Sequence, residues 1–185
     1  MQNAHQRKKE PELIRQKILA FAIQLAAEKG VSGVSIQAVA DLAGVTKGGV
    51  FHHYPNKQKL LEAMVHEVLS QLDQAVDEYM QNDAEPYGSF TRAYIYFTLQ
   101  TEPNGIGTLW SAISMTMLTD RAFNIVWLNW LNGRLAKHQQ TDSGLELQLL
   151  RYAADGVWLN VFGCSEDMQM MHNMQQELLR RSYLQ

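Results

Sequence analysis

Residues 35–59 read SIQAVADLAGVTKGGVFHHYPNKQK, and this stretch decides how the rest of the chain is organised. Ser35 is a favourable N-cap residue for a first short helix over residues 36–43, where apolar residues recur three and four positions apart. Gly44 ends that helix, since glycine is the usual residue just past a helix end. Thr46 can cap a second helix, so the pattern predicts two helices separated by a tight turn.

The second helix covers residues 47–53 in this interpretation. It stops there because Pro55 disfavours the α conformation at Tyr54, and Asn56 can cap a third helix. Two helices joined by a glycine-containing turn of about three residues form a helix-turn-helix, whose second helix lies in the major groove of DNA. The stretch therefore indicates a DNA-binding end in an all-α chain.

The composition of the second helix suits contact with DNA. Lys47, Gly48 and Gly49 occupy its first turn, so backbone N–H groups, the positive end of the helix dipole and a cation could all face a phosphate. Glycine has no side chain to hold DNA away, although each glycine costs about 1 kcal/mol of helix stability relative to alanine. The alternative interpretation of Gly48 and Gly49 is that they belong to an ordinary loop. Stacking, hydrogen-bonding or cationic side chains follow at Phe51, His52, His53, Tyr54, Lys57 and Lys59.

The segment GVTKGGVFHHYPNKQKLL, residues 44–61, closely resembles the recognition-helix signature of the tetracycline-repressor (TetR) family of bacterial transcription regulators. The resemblance is strong from about residue 13 to residue 61 and weaker beyond. The family usually has tyrosine where this chain has Phe51, so a phosphate contact through that hydroxyl would be missing. The resemblance implies DNA contacts at Thr46, Lys47, Gly48, Gly49, Phe51, His52, His53 and Lys57, to which we add Ser35 and Tyr54 as candidates from the same stretch.

The composition of the whole chain fits a helical protein. Its 185 residues are 46% hydrophobic, with four prolines and few alternating β-branched runs. The lone Cys164 excludes an intramolecular disulfide framework and fits a reducing cytosol. The first ten residues are polar and charged with no apolar run after them, so we expect no signal peptide, no membrane partner and a cytoplasmic, nucleoid-associated protein.

Charge is divided unevenly along the chain. Residues 1–60 carry nine Lys or Arg against four acidic residues, a net charge of +5, whereas the remainder carries seven against fifteen, a net charge of −8. A basic end joined to an acidic body is typical of nucleic-acid-binding proteins, although charge clusters are usually just solvated faces.

We predict two domains, a helix-turn-helix DNA-binding domain over residues 1–58 and a ligand-binding and dimerisation domain over residues 59–185. Residues 1–10 are expected to form a mobile basic arm that reaches DNA or only aids solubility. Pro11 suits the first position of helix 1, which Gly30 closes.

A long helix from Asn56 to about Met80 is expected to link the two domains. Because a continuous helix is stiff, movement of its far end would rotate the recognition helix and change its fit to an operator. This expectation comes from the family resemblance.

Aromatic and methionine side chains recur on the helices of the second domain. They could line a ligand cavity, or they could simply fill the core. The family usually has a pocket for a small-molecule effector, so the candidate ligand-binding residues are Phe90, Tyr94, Phe97, Trp110, Met117 and Trp127.

The last two helices, predicted at about residues 145–163 and 166–183, are apolar and rich in methionine. In the family the corresponding helices pair with their copies across a twofold axis, which implies a homodimer. The candidate interface residues are Leu147, Leu150, Ala154, Trp158, Met171 and Leu178.

Other classes of function find little support in the sequence. Methionines around His172 are better explained by packing than by a Cu(I) site, so we predict neither a metal nor a cofactor. There is no HExxH, GxSxG or CxxC motif, and GVTKGG lacks the spacing of a phosphate-binding loop, so we predict no enzyme. The interpretation is a homodimeric repressor, released by a small molecule, that binds a palindromic double-stranded operator. The alternative is an all-α small-molecule-binding or interaction protein whose helix-turn-helix is structural.

Overall fold

The computed structural model describes residues 4–100, 113–114, 116–117, 119–161 and 168–183, and in these ranges the regular structure is entirely helical. None of the described helices is long and apolar enough to cross a membrane. The elements in chain order are α1 (Ala4–Lys29), a 3₁₀ turn (Val31–Gly33), α2 (Ile36–Ala43), α3 (Lys47–His53), α4 (Lys57–Gln81), α5 (Ser89–Thr98), α6 (Arg121–Lys137), α7 (Gln139–Asp142), α8 (Leu145–Val161) and α9 (Met168–Arg181).

The short helices begin and end where the sequence predicts. The Ser35 side chain accepts a hydrogen bond from the Ala38 N–H, Thr46 from that of Gly49 and Asn56 from that of Lys59. Gly44 terminates α2 with φ of 67°, a left-handed conformation that glycine adopts without steric cost. Caps and breakers act over three or four residues, so they fix these boundaries without help from the rest of the fold.

The N-terminal end of α1 differs from the expectation. The backbone of residues 4–10 is helical, and Pro11 lies inside α1 instead of at its first position. A proline inside a helix removes one backbone N–H donor. Pro11 is exposed, so water can satisfy the carbonyl left without a partner. Residues 4–10 are thus a helical extension of α1.

The first three helices share one core with the start of α4. Ile18 and Ala22 of α1 are fully buried, together with Val39 of α2 and Val50 of α3. Leu60 at the start of α4 completes this core, and α1 packs against both α2 and α4. Helix α3 is thereby held by Val50 while its opposite side remains exposed.

Helix α5 lies at the centre of the C-terminal body and packs against α4, α8 and α9. Its buried polar residues fix the surrounding loops. Arg92 forms an ion pair with Asp83 at 2.6 Å and donates to the Ser182 carbonyl at 3.2 Å. Thr91 donates its hydroxyl to the Asp142 carboxylate of α7 at 2.7 Å. These bonds join the α4–α5 loop, α7 and the end of α9 to the central helix.

The dimer-interface residues predicted on α8 and α9 need a correction. The predicted interface residues on these helices pack against Ile95 and Leu99 of α5 within one chain and are therefore not available to a second copy; they are Leu147, Leu150, Ala154, Met171 and Leu178. Helix α8 is apolar on more than one face, and its packing against α5 and α9 determines which of these faces is buried. A different apolar row stays exposed on α8, comprising Leu145, Leu149, Tyr152 and Leu159.

The remaining boundaries differ from the predictions in detail. The polar sequence over residues 138–144 predicts a break between helices, and this segment contains the short helix α7. The apolar pattern also predicts a helix over residues 89–101, and α5 ends at Thr98, three residues earlier. The sequence further predicts a helix over about residues 108–118. Most of that stretch lies outside the described residues, as do Trp110 and Cys164, while residues 113–114, 116–117 and 119 are helical. The domain boundary at residue 58 stays a prediction, since α4 packs on α1 and on α5 alike.

Candidate nucleic-acid interface and effector cavity

The first turn of α3 is exposed. Thr46 caps it by accepting the Gly49 N–H at 3.0 Å, while Lys47 and Gly48 are open to solvent. The first N–H groups of any α-helix lack an acceptor within the helix, so this end can donate hydrogen bonds to a group outside the protein.

The fold itself does not require glycine at positions 48 and 49. A Cβ atom at Gly48 would come no closer than 3.8 Å to the Thr46 hydroxyl, and one at Gly49 would meet that oxygen at 3.4 Å, an ordinary contact. Neither glycine has positive φ. Each glycine destabilises the helix relative to alanine, and the described residues leave room for a Cβ atom at both positions.

Three side chains extend the exposed surface of α3 and the start of α4. Phe51 is 40% exposed, and His52 and Lys57 are also exposed. His53 is partly buried and makes an edge-to-face contact with His52, with 5.2 Å between ring centroids. We call the residues of this region the α3 surface. They are Thr46, Lys47, Gly48, Gly49, Phe51, His52, His53 and Lys57. Ser35 is exposed as the cap of α2.

Tyr54 does not belong to the α3 surface. It is only 3% exposed and donates its hydroxyl to the Arg15 carbonyl at 3.3 Å. The Arg15 guanidinium lies 5.4 Å from the centre of its ring, and burial raises the pKa of the phenol. Tyr54 therefore fastens the end of α3 to α1, and we remove it from the set of candidate DNA contacts.

A cavity of about 170 Å³ lies among α5, α6 and α8. It brings together three of the predicted ligand residues, Tyr94, Met117 and Trp127. Trp158, predicted at the dimer interface, lines it as well. The other lining residues were not predicted from the sequence; they are Thr98, Ser114, Asn124, Asp155 and Leu159.

Two other predicted ligand residues lie elsewhere. Phe97 lines a much smaller space between the cavity and α4, shared with Leu72 and Val76. Phe90 is fully buried and stacks on His138, with 5.7 Å between ring centroids, so it is a core residue and not part of the cavity wall.

Asp155 is the residue of the cavity that spacing alone could have found. It follows Arg151 by one helical turn on α8, in a helix whose other inward residues are apolar. Tyr94 donates its hydroxyl to Oδ1 of Asp155 at 2.7 Å. Burial raises the pKa of the Asp155 carboxyl, while the Tyr94 hydrogen bond and the Arg151 charge act in the opposite direction.

Two protein families match the chain. Residues 18–64 match the bacterial regulatory proteins of the tetR family, and residues 88–183 match the tetracyclin repressor-like C-terminal domain. The second match alone covers more than half of the 185 residues.

Curated relatives are transcription regulators. The chain is 31% identical over 98 residues to the HTH-type transcriptional repressor AcnR of Corynebacterium efficiens, covering 48% of this chain and 52% of the relative. It is 22% identical over 86 residues to the HTH-type transcriptional repressor KstR2 of Mycolicibacterium smegmatis, covering 46% of this chain and 42% of the relative. The chain thus spans about half the length of these relatives.

Solved structures share the fold across nearly the whole chain. The multidrug binding protein EbrR, in complex with malachite green, has a TM-score of 0.69 at 21% identity, covering 92% of this chain and 98% of EbrR. A transcriptional regulator from Rhodococcus sp. Rha1 has a TM-score of 0.71 at 19% identity, covering 91% of this chain and 93% of that structure.

Proposed function

The chain belongs to the tetR family of bacterial regulatory proteins, and from this premise we propose that it is a transcription regulator that binds a palindromic operator as a homodimer and is released by a small molecule. The family consists of DNA-binding regulators and not of enzymes. We place its action in the cytoplasm, at the chromosome, because that is where operator DNA lies.

The α3 surface is the observation that carries the proposal. Gly48 and Gly49 have room for a side chain within the protein and still lack one. Phe51 and His52 stand exposed beside them. In the proposed complex the backbone at both glycines and the His52 ring lie nearest the bases, while Thr46, Lys47 and Lys57 hold phosphates. Phosphate contacts set the register and base contacts supply the specificity.

The exposed row on α8 supports a homodimer. Leu145, Leu149, Tyr152, Gly156 and Leu159 follow one another at spacings of four and three, which is the repeat that packs one helix against another. Leu145 is 70% exposed and Leu149 54% exposed. A contiguous row of exposed apolar side chains is typical of a surface that contacts another protein. We assign this row to a second copy of the chain, because an isologous twofold contact buries the same row on both copies.

The cavity and α4 share a wall, which suggests how an effector could act. Tyr94 and Trp127 line the cavity on one side, and on the other they border the small space formed with Leu72 and Val76 of α4. A ligand that shifts either ring would push on α4. Residue 72 lies fifteen residues from the start of α4, about 22 Å along a helix, and three residues separate that start from the end of α3. A small rotation of α4 would therefore change the spacing of the two recognition helices in a dimer.

Selection of bound DNA from random duplexes, followed by band shifts, tests the proposal. We expect the full chain to select an inverted repeat, and competition by that repeat, but not by a scrambled duplex of equal length, should abolish the shift. The association constant should fall steeply as salt rises, since bound counterions are released. Equal competition by scrambled DNA, or no binding at low salt, would favour the alternative of a small-molecule-binding protein with a structural helix-turn-helix.

A further inference from the structure

The cavity wall carries one carboxylate among aromatic rings. Asp155 lines the cavity beside Tyr94, Trp127 and Trp158. Its Oδ1 atom accepts the Tyr94 hydroxyl at 2.7 Å, which orients the carboxylate. An acidic group in a wall that is otherwise mainly apolar is costly when charged unless a cation or several hydrogen bonds offset it.

The nearest cation on the same helix is committed to other partners. The Arg151 guanidinium is buried, and its Nη1 donates to the Thr91 hydroxyl at 2.6 Å and to the Asp142 carbonyl at 3.2 Å. The Asp142 carboxylate is fully buried and accepts two hydrogen bonds from Thr91. The Arg151 guanidinium interacts electrostatically with both Asp142 and Asp155. Asp155 is the one charged side chain among the described residues that line the cavity.

The aromatic rings favour the same kind of ligand. Trp127 stacks on Trp130, with 5.0 Å between ring centroids, and lies 6.2 Å from the Tyr94 ring. These contacts hold the indole in the cavity wall. Tryptophan is the aromatic residue that attracts cations most strongly through its π face. A volume of about 170 Å³ is close to that of cavities that hold a single benzene-sized ring.

Building on the effector role proposed above, we propose that the cavity binds a small organic cation of the aryl- or alkylammonium class, with Asp155 as its counter-ion and Trp127 and Trp158 as the aromatic wall. Tyr94 is a positioning residue that holds the carboxylate towards the cavity. A quaternary ammonium needs no hydrogen-bond acceptor, so one carboxylate and the ring faces suffice to recognise it.

A matched pair of probes tests the charge preference without any mutation. Phenyltrimethylammonium and tert-butylbenzene have the same shape and differ in one atom, a cationic nitrogen against a neutral carbon. Binding to the full chain is measured by calorimetry and by quenching of tryptophan fluorescence. We expect the cation to bind at least tenfold more tightly. Equal affinities, or tighter binding of the neutral probe, would overturn the proposal.

Variants assign the preference to Asp155. D155N keeps the size of the side chain and an acceptor for Tyr94, and we expect it to lose at least tenfold in affinity for the cation while changing that for the neutral probe by less than threefold. E146Q, which removes an exposed carboxylate from the same helix, should leave both affinities unchanged, and D155E should retain the preference. If D155N is folded by circular dichroism and binds the cation as tightly as the unmodified chain, Asp155 is not the counter-ion.

Operator release separates this proposal from the proposed function. If the cation binds in an Asp155-dependent manner and DNA stays bound, the cation site stands and release by this ligand fails. If neutral compounds bind equally well and release the DNA, the regulator stands and the cation site fails.

Discussion

Arg134 of α6 forms an ion pair with Asp73 of α4, with 2.5 Å between Nη2 and Oδ1. The same guanidinium reaches Asp77 one turn later at 2.5 Å, and Trp130 donates its indole N–H to Asp73 at 2.7 Å. Because Trp130 stacks on Trp127 of the cavity wall, this cluster ties the cavity to α4. Arg134 is only 4% exposed, whereas both aspartates are nearly half exposed.

Replacement of Arg134 should destabilise the body. R134M keeps an apolar chain of similar length but leaves both aspartates without their cation, and we expect a loss of about 1–3 kcal/mol in the free energy of unfolding, with the lower part of that range favoured by solvent screening. Urea denaturation at pH 7 measures it. K137M removes an exposed cation 3.6 Å from Asp77 and should change stability by less than about 0.5 kcal/mol. Similar losses in the two variants would contradict a structural role for Arg134.

Stability should also depend on pH through Asp77. The hydrogen bond from Arg134 is the main cause that lowers the pKa of this carboxyl in the folded chain. A lowered pKa contributes stability that is present above the unfolded value and is lost as pH falls through the folded value. We therefore expect R134M to lose less of its pH 7 stability on acidification than the unmodified chain loses. Parallel curves for the two proteins would count against this coupling.

A methyl group at position 48 should separate folding from DNA binding. G48A adds a side chain where the protomer has room, so we expect stability to rise by about 0.5–1 kcal/mol while operator affinity falls at least tenfold. G133A is the matched control, since Gly133 is an exposed helical glycine of α6 with nothing within 4 Å of the place where its methyl group would lie. It should gain similar stability and keep full affinity. Unchanged operator binding by G48A would mean that DNA does not approach this turn.

Loss of Lys47 should alter the salt dependence of DNA binding. K47A removes a proposed phosphate contact from each half-site, so binding should weaken on all sequences alike and the salt slope should fall by about one unit per protomer. Titrations between low and moderate salt, repeated with K137A as a control on the distant α6, measure both slopes. If the K47A slope equals that of the unmodified chain, Lys47 does not contact a phosphate.

A charge on the outer row of α8 should prevent dimerisation. L149E places a carboxylate at the centre of the proposed twofold contact, and we expect monomers by light scattering together with weak operator binding. L128E alters an exposed leucine of α6 and should remain dimeric. A charge at the fully buried Ala154 should instead unfold the protomer. A dimeric L149E would place the contact on another surface.

The amino-acid sequence by itself determined the helix-turn-helix. Ser35, Gly44, Thr46 and Asn56 set the boundaries of α2, α3 and α4 through contacts that extend only three or four residues, so the linear order of residues contains the whole signal. The paired glycines of α3 also belong to that local pattern, and their agreement with a known family follows from it.

Only the tertiary structure decided which surfaces face inward. Helix α8 carries two apolar rows, and packing against α5 and α9 buries Leu147 and Leu150 while Leu145 and Leu149 stay outside. Tyr54 donates a hydrogen bond to the carbonyl of Arg15, which lies thirty-nine residues away in sequence. Tyr94 donates one to Asp155, which lies sixty-one residues away. Periodicity shows that a helix has apolar faces, but the choice among them depends on neighbours that are distant in the chain.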